Sequence, residues 1–296
     1  MGCCGGGKRA NRGRARRLKP KTAKEVKAQM VKIEPRAQIL MCRPKFFGIN
    51  YSINPWMNVN HGIDHNKAVD QWNILKSKLR ELGARIQCVP PREDLPDMVF
   101  TANAGYVMKG NPFNIILASF LFKERQGEEK YFQEWFEGNG YSVSSFDRPF
   151  EGAGDALYLG DDLIFGYGFR SDPLNHPEFY NRGEHSVHLV HLVDPYFYHL
   201  DTCFCPLQDK DYLVWPGAFE SVDPIRKLGG KEIAVTEEDA KKFACNAVCI
   251  GKDVVLPAGC SDTMQKLEQA GYTPHEVEMS EYMLSGGACK CLTLTL

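Results

Sequence analysis

Three segments of the sequence place groups capable of proton transfer or nucleophilic attack at points where apolar runs stop. His199 and Asp201 stand two residues apart, so on an extended chain both side chains would enter one cavity from the same face. Glu151 and Asp155 lie in a Gly-rich turn, where the backbone can approach a small ligand closely. Cys291 opens a C-terminal run that reads as a closing strand, and its thiolate form would be a nucleophile. Taken singly, each segment is more typical of an ordinary turn or strand, and only their combination indicates a site.

Two further polar residues come at the ends of apolar runs. Asn103 interrupts a run that starts at Met98, and we predict that it ends a strand. Arg170 follows an apolar strand and a glycine, a position suited to gripping a carboxylate through the two arms of its guanidinium group. Taken alone, Arg170 is more typical of a salt-bridge residue. Both residues are therefore candidates for binding a ligand, not for the chemical step.

The elements that must position these groups form a repeating pattern. Each unit consists of two short apolar runs around a polar turn, which predicts a β-hairpin. Helical patterns with one apolar face lie between the hairpins. Modules of this kind bury their apolar faces against each other, and an arrangement around an axis removes exposed edges, which favours an α/β propeller over a parallel sheet. An α+β sandwich stays open as the alternative. The predicted hairpins span residues 98–118, 156–165, 204–215 and 247–256, and the predicted helices span 66–82, 128–137 and 237–244.

Composition limits the class of protein. A chain of 296 residues with 43% hydrophobic and 25% charged residues can bury a large core. No run approaches the roughly 18 apolar residues that a bilayer span needs. Eleven cysteines, an odd number, without a secretory signal pattern predict mostly free thiols in the cytoplasm. The cysteines lack the paired spacing of a zinc site and no nucleotide-binding loop is present, so we expect neither a metal nor a cofactor.

The charge is distributed unevenly along the chain. Residues 1–36 contain twelve Lys and Arg against Glu25 and Glu34, although the net charge of the whole chain is only −1. The first segment has no apolar periodicity, which predicts a disordered basic N-terminal extension over residues 1–36. The catalytic domain is predicted to cover residues 37–296, and it carries a net charge of about −11.

Three roles are open for the basic extension. Gly2, Cys3 and Cys4 are candidates for acylation, and the basic residues after them would face anionic lipid, which predicts contact with a membrane surface through residues 1–20. A solvated tail without an anchoring role is the favoured alternative. Binding to nucleic acid is not expected, because the segment has no aromatic residue on which a base could stack.

From about residue 38 to the end, these motifs together resemble the guanidino-group modifying superfamily, which includes arginine deiminase, dimethylarginine dimethylaminohydrolase and glycine amidinotransferase. The resemblance implies a five-module α/β propeller, called a pentein, with pseudo-fivefold symmetry around a negatively lined site. In that family the nucleophilic Cys lies near the C-terminus and is followed by apolar, Ser/Thr and apolar residues. Cys291 fits this pattern, whereas Cys289 is followed by Lys290 and fits it less well.

The resemblance also implies a role for each candidate residue. His199 would be the general acid and base, and Glu151 would support it. Asp201 would hold the guanidinium group, in a position where dimethylaminohydrolases usually carry Lys. Arg170 would grip the α-carboxylate of the substrate. Further substrate-binding positions are Asn54, Asn103 and Asp155.

Asn103 departs from part of the family. In deiminases and dimethylaminohydrolases the matching residue is an Asp that grips two guanidinium nitrogens. Asn103, together with the segment around Asn54, resembles the arginine dihydrolase branch, which hydrolyses arginine through citrulline to ornithine and releases ammonia and carbon dioxide. An amide in place of a carboxylate lowers the negative charge that faces the guanidinium group, so a neutral ureido group would be able to bind for a second attack.

The sequence therefore predicts a hydrolase that takes a small guanidino compound and forms a thiouronium intermediate on Cys291. Conversion of arginine to ornithine is the leading hypothesis. Dimethylargininase, arginine deiminase and amidinotransferase activities are the catalytic alternatives. A sensor of guanidino compounds, built on a degenerate enzyme, is the non-enzymatic one. The oligomeric state is not predicted.

Overall fold

The computed structural model describes residues 1–2, 37–184 and 186–296. Apart from Met1 and Gly2, the predicted basic extension over residues 1–36 lies outside the described residues, and so do the acylation candidates Cys3 and Cys4. The domain boundary at residue 37 stays a prediction. Among the helices of the described residues, none is both long enough and apolar enough to cross a bilayer.

Within the described residues, fifteen strands form five three-stranded sheets, in the order β3-β4-β5, β6-β7-β8, β9-β10-β11, β12-β13-β14 and β15-β1-β2. In each sheet the central strand pairs antiparallel with one neighbour and parallel with the other. The strands are β1 (Ala37–Cys42), β2 (Ala84–Val89), β3 (Gly105–Val107), β4 (Asn114–Leu117), β5 (Ser142–Ser145), β6 (Ala156–Leu159), β7 (Asp162–Tyr167), β8 (Val187–His191), β9 (Phe204–Pro206), β10 (Tyr212–Val214), β11 (Glu232–Ala234), β12 (Val248–Ile250), β13 (Asp253–Pro257), β14 (Thr273–Val277) and β15 (Leu294–Thr295).

Helices connect the two parallel strands of every sheet, as expected when a chain must cross over to begin a parallel neighbour. The α-helices of the described residues are α1 (His65–Glu81), α2 (Lys123–Gly138), α3 (His176–Asn181), α4 (Leu200–Cys203), α5 (Asp223–Arg226), α6 (Glu237–Ala240), α7 (Ser261–Gln269) and α8 (Ser280–Met283). The crossovers contain α1, α2, α3, α5 and α7. The same hairpin and crossover therefore recur in each module.

The antiparallel edge strand of each sheet has a special position. These five strands, β3, β6, β9, β12 and β15, are called the inner strands below, because all of them contribute residues to the wall of a single cavity. Five sheets that share one cavity through equivalent strands are arranged around one axis. The ring closes where β15 pairs with β1, with Leu294 opposite Leu40. The predicted five-module α/β propeller, or pentein, is confirmed.

The predicted helices are confirmed in place, with two errors in length. In α1 the side chain of Asp64 caps the helix by accepting from the backbone N–H of Lys67, 3.0 Å away, and Trp72 lies on the buried face. The predicted helix 128–137 lies inside the longer α2. The helix predicted over 237–244 was too long, because α6 ends at Ala240 and Phe243 adopts a φ of 62°, in the left-handed region.

The four predicted hairpins correspond to β3-β4, β6-β7, β9-β10 and β12-β13. The prediction that a strand leads into Asn103 was wrong. Two 3₁₀ helices, Pro96–Val99 and Thr101–Ala104, occupy this stretch, and β3 starts only at Gly105. Pro96, which cannot donate to a strand ladder, stands at the first position of the first 3₁₀ helix. Asn103 therefore comes before an inner strand instead of at the end of one.

Candidate active site

The residues just before the five inner strands meet at one end of the propeller axis. These lead-in residues are Asn103 before β3, Glu151 before β6, His199 before β9, Asn246 before β12 and Cys291 before β15. None of them lies in a regular strand, so their side chains need not point alternately to opposite faces of a sheet. A narrow cavity opens among them, and the polar residues in its wall include Asn54, Asp97, Asn103, Arg125, Arg170, His199 and Cys291.

Cys291 is 3% exposed, and Asn246 holds it in place. The side-chain amide of Asn246 donates from Nδ2 to Cys291 Sγ at 3.0 Å. Its Oδ1 accepts from the backbone N–H groups of Cys291, at 3.1 Å, and Ala288, at 3.0 Å. Because this loop wraps around a side-chain amide, Cys291 does not open the closing strand as predicted, and β15 begins three residues later, at Leu294.

Asp201 lies on another side of the same sulfur atom. Cys291 Sγ donates to its carboxylate, with Oδ2 at 3.4 Å. Burial, and after it the charge of Asp201, raises the pKa of the Cys291 thiol well above its ordinary value, although the Asn246 amide opposes this shift. Burial also raises the pKa of Asp201 to about 6, against the charge of Lys290, which lowers it. The resting sulfur is therefore a thiol, and a cation that arrives beside it would favour the thiolate.

His199 also lines the cavity and is paired with Glu151. The ring Nε2 of His199 is 2.7 Å from Glu151 Oε2, and Arg170 Nη1 donates to the same oxygen at 3.0 Å. Burial alone would raise the pKa of Glu151, but Arg170 and the hydrogen bond with His199 outweigh it, so the pKa lies far below its usual range. Glu151 is thus a fixed anion that orients the imidazole. Its other oxygen, Oε1, is buried and has no hydrogen-bond partner among the described residues.

His199 and Asp201 do not share a face of an extended chain, as the sequence analysis expected. His199 itself is extended, but α4 starts at Leu200 and turns Asp201 in a different direction. As a result the imidazole contacts Glu151, whereas the carboxylate of Asp201 contacts Cys291 Sγ. The two residues still belong to one site, because their separate partners Glu151 and Cys291 are brought together by the packing of the modules and not because they share a strand face.

Arg170 lies between two aromatic rings, with its guanidinium carbon 4.7 Å from the ring centre of Phe122 and 4.5 Å from that of Tyr198. Besides Glu151, it donates from Nη2 to the carbonyl oxygen of Ile53 at 2.9 Å. The side chain is therefore fixed by protein contacts and also lines the cavity. Its predicted role as a carboxylate clamp stays a prediction.

Asn103 is oriented by two neighbours. Its Oδ1 accepts from Arg125 Nη1 at 2.9 Å, and its Nδ2 donates to the carbonyl oxygen of Glu151 at 3.1 Å. Arg125 in turn forms a two-armed ion pair with Glu128, with distances of 2.9 and 2.8 Å. Because Arg125 is only a donor, the amide oxygen must face it, and the second N–H of Asn103 Nδ2 has no acceptor among the described residues.

The last two predicted site residues differ in position. Asn54 lines the cavity, and its Nδ2 donates to the carbonyl oxygen of Ser285 at 3.0 Å. Asp155 does not line it, because Ser171 Oγ and the backbone N–H of Leu200 donate to its two oxygens, at 2.7 and 3.1 Å. Asp155 thus lies behind the site, where it holds the start of α4. Among the described residues, no group of three or more His, Cys, Asp or Glu is placed to hold a metal ion.

The sequence and the fold of this chain are similar to those of known proteins. No family model matches the chain. The bifunctional arginine dihydrolase/ornithine cyclodeaminase AgrE of Nostoc sp. is 45% identical over 268 residues, which are 88% of this chain and 38% of AgrE. The N(G),N(G)-dimethylarginine dimethylaminohydrolase of Mycobacterium tuberculosis is 37% identical over 86% of this chain and 84% of its own length. This chain belongs to the guanidino-group modifying superfamily.

Solved structures extend the similarity to the arginine dihydrolase branch. Two structures of the N-terminal domain of ArgZ, a cyanobacterial arginine dihydrolase, were solved as variants, one bound to substrate and one covalently bound to a reaction intermediate. Each has a TM-score of 0.82 and 42% identity, and covers 88% of this chain and 97% of the domain. This member of the superfamily thus spans less than two fifths of the bifunctional AgrE but nearly all of the ArgZ domain.

Sequence reasoning missed three residues of the site. Asn246 stands directly before the fourth predicted hairpin, so the rule that polar residues precede inner strands would have found it. Arg125 and Asp97 gave no such signal. Arg125 looks like a surface residue of a helix, with Glu128 one turn away, and only the packing of α2 on the site buries both. Asp97 Oδ1 is buried without a hydrogen-bond partner among the described residues.

Proposed function

We propose that the protein is a hydrolase that attacks the guanidino carbon of arginine through Cys291 and converts arginine to ornithine, ammonia and carbon dioxide. One observation carries this proposal. A thiol 3.4 Å from the buried carboxylate of Asp201 shares a cavity wall with an imidazole held by Glu151. A planar cation that enters between them meets a nucleophile on one side and a proton carrier on the other.

The guanidinium group would be held by acceptors that have capacity left. The carboxylate of Asp201 accepts from Cys291 Sγ and interacts with the Asn246 amide, which leaves lone pairs on its oxygens for a ligand, and Glu151 Oε1 has no hydrogen-bond partner among the described residues. The same holds for Asp97 Oδ1, which suits the α-ammonium group of an amino acid because Asp97 lines the cavity. Arg170 and Arg125 line it as well and would face the α-carboxylate.

The first half of the reaction breaks one C–N bond. The positive charge of the bound guanidinium group favours loss of the Cys291 proton, and the thiolate adds to the guanidino carbon. His199 gives a proton to the departing nitrogen, which leaves as ammonia, and a thiouronium group remains on the sulfur. Water, deprotonated by His199, then adds to the same carbon and expels the thiolate, which leaves citrulline. The covalent intermediate in the ArgZ variant supports this route.

The second half repeats the attack on the ureido carbon of citrulline. Ammonia leaves again, water releases the carbamate of ornithine, and this carbamate decomposes to ornithine and carbon dioxide. Asn103 would make the second attack possible, because the free N–H of its Nδ2 is able to donate to the ureido oxygen. An Asp in this position would only accept and would repel that oxygen.

The test is to incubate purified protein with arginine, citrulline, dimethylarginine and agmatine and to identify the products by mass spectrometry. We expect ornithine and two equivalents of ammonia from arginine, and slower turnover of agmatine, which lacks the carboxylate. Asn103→Asp, with Asn175→Asp as the matched buried control, is expected to stop at citrulline. Citrulline that persists with the unaltered protein contradicts the dihydrolase proposal, and no turnover of any of these compounds favours the sensor.

A second candidate is dimethylargininase activity. The relative from M. tuberculosis carries that name, and this chain covers 84% of it. This candidate predicts citrulline and dimethylamine from dimethylarginine at a higher kcat/KM than ornithine from arginine. A deiminase would release only citrulline from arginine, and an amidinotransferase would pass the group to an added amine, so the same product analysis separates all four activities.

For the N-terminal segment we propose cytoplasmic location with contact to a membrane surface through residues 1–20. The support is the row of basic residues after Gly2, Cys3 and Cys4. Flotation of the full chain and of a chain lacking residues 1–32 with cell membranes tests it. Equal recovery of the two chains with the membranes contradicts the proposal.

A further inference from the structure

The ammonium group of Lys290 takes no part in the proposed reaction. Its Nζ donates to the carbonyl oxygen of Thr293 at 3.1 Å. In the part of the chain that the structure describes, no carboxylate oxygen lies within 4.0 Å of Nζ. An ammonium group has three N–H donors, so two of them have no protein acceptor there. Burial lowers the pKa of the Lys290 ammonium group, and the charge of Asp201 opposes this shift only in part, so a bound anion would stabilise the charged form.

Lys290 lines a second cavity, and no residue in its wall also lines the cavity around Cys291. The cavity has a volume of about 280 Å³ and is called the axial cavity below. Every inner strand contributes to its wall, with Val107, Tyr158, Pro206, Cys249 and Thr295 as one residue from each. Most of the wall is apolar, and among the described residues Lys290 is its single charged side chain.

Apolar walls with one cation match a specific class of ligand. The walls favour an apolar body through burial of its surface, and the ammonium group favours a carboxylate through charge-assisted hydrogen bonds. The volume lies just below the range of about 300–1,000 Å³ that is typical of pockets for drug-sized ligands, which limits the ligand to a smaller molecule. A dication would find no carboxylate among the lining residues, and a polar sugar would find mostly apolar ones.

We propose that the axial cavity is a binding site for a small organic monocarboxylate, which places its carboxylate on Lys290 Nζ and its apolar body against the inner strands. The site is separate from the cavity around Cys291, because the two cavities share only the chain segment that carries Lys290 and Cys291 as neighbours.

Ligand binding in the axial cavity would alter the surroundings of Cys291 and Asp201. This consequence rests on the proposed function. The backbone N–H of Lys290 donates to the carbonyl oxygen of Asn246 at 3.1 Å, and Asn246 holds Cys291 Sγ. The charge of Lys290 also lowers the pKa of Asp201. A carboxylate on Nζ offsets that charge, so it would weaken the hold of Asp201 on a guanidinium group without occupying its place. We expect a partial inhibition that raises the apparent KM for arginine and reaches a plateau at high ligand concentration, because the ligand and arginine occupy different sites.

Binding itself is tested without any activity measurement, by calorimetric titration of the full chain with sodium benzoate and with benzamide, its neutral analogue. We expect one saturable site for benzoate and at least tenfold weaker binding of benzamide. Lys290→Met should weaken benzoate binding at least tenfold, whereas Lys252→Met, which removes an exposed lysine paired with Asp209, should leave it unchanged. Equal affinity for benzoate and benzamide overturns the proposal even if Lys290→Met fails to fold.

A variant at the mouth of the cavity separates this site from the arginines near Cys291. Thr295 is exposed and lines the axial cavity far from them, so Thr295→Trp narrows the cavity and leaves Lys290 in place. We expect Thr295→Trp to weaken benzoate binding at least tenfold. Unchanged binding in both Lys290→Met and Thr295→Trp, or no saturable binding to the unaltered protein, overturns the proposal. If the unaltered protein binds benzoate but does not turn over arginine, the result contradicts the proposed function and leaves the axial binding site standing.

Discussion

The two cavities along the five inner strands differ although the same strands and their lead-in segments build both. At their N-terminal ends, irregular lead-in segments place the amide of Asn103, the imidazole of His199 and the thiol of Cys291 in the wall of one cavity, and protein contacts from the other two lead-in residues fix the imidazole and the thiol. The strands themselves, together with Ala153, Ala247 and Lys290 from the lead-in segments, enclose the axial cavity with mostly apolar side chains and a single charged one. Residues within the regular strands form cavity walls, whereas the lead-in residues outside the strands provide the reactive side chains.

The largest expected effect comes from removing the sulfur in the wall of the first cavity. Cys291→Ala should lower kcat for arginine by at least about 10⁴-fold, because the covalent route is lost. Cys289→Ala is the matched control, since Cys289 is also buried but does not line the cavity around Cys291. Ornithine and citrulline formation measured by mass spectrometry checks this. A Cys291→Ala variant that keeps its activity while Cys289→Ala loses it would move the nucleophile to Cys289.

The next effect concerns proton transfer. His199→Asn keeps a polar side chain but removes the imidazole, and we expect kcat to fall by about 10²–10⁴-fold. His188→Asn is the control, because His188 lies on β8 beside Asp162, outside the site, and should leave kcat unchanged. Steady-state kinetics with arginine measures both variants. Equal losses in the two variants would assign the effect to stability instead of catalysis.

Asn246 tests whether the lead-in position before the fourth inner strand positions the nucleophile. Asn246→Asp keeps the acceptor for the N–H groups of Ala288 and Cys291 but replaces the donor that faces Sγ. A lost hydrogen bond to a charged group is worth about 1.5–3 kcal/mol, so kcat should fall about 10–150-fold with little change in KM.

A purely structural role of Asn246 would not alter the reactivity of the thiol. In Asn246→Asp we expect the pH at which Cys291 becomes reactive to iodoacetamide to move upward, because the added carboxylate disfavours the thiolate. Peptide mass spectrometry follows the alkylation of Cys291 separately from the other thiols. Asn175→Asp, at a buried amide that donates to the carbonyl oxygen of Pro149, is the control. An unchanged alkylation profile contradicts the positioning role.

The smallest effect links the two cavities through pH. Asp201 has a pKa raised to about 6, so the carboxylate is ionised above this pH and protonated below it. If Asp201 holds the guanidinium group, kcat/KM for arginine falls as the pH drops through about 6. Lys290 lowers the pKa of Asp201, so Lys290→Met should move this acid limb upward and reduce kcat/KM near pH 7 only a few-fold. If the pH at which kcat/KM falls is the same in Lys290→Met as in the unaltered protein, Asp201 is excluded as the group that titrates there.

Much of the fold was readable because its signals are local. Short apolar runs around polar turns indicated four modules, and the apolar face of α1 indicated a helix within one residue of its true bounds. The fifth module gave no such signal, because β15 pairs antiparallel with β1 from the other end of the described chain. The 3₁₀ helices before Asn103 were also missed, since their residues look as apolar as a strand.

The sequence by itself determined which groups are available: a thiol near the C-terminal end in a family pattern, an imidazole two residues from a carboxylate, and an amide where deiminases are expected to carry an acid. Only the tertiary structure decided which groups touch. Asn246 reaches Cys291 across 45 positions, and Arg170 reaches Glu151 across 19. Such contacts depend on how five modules pack around an axis, and the same packing leaves Lys290 facing the axial cavity. Burial then sets the pKa values of Cys291 and Asp201, which no local pattern contains.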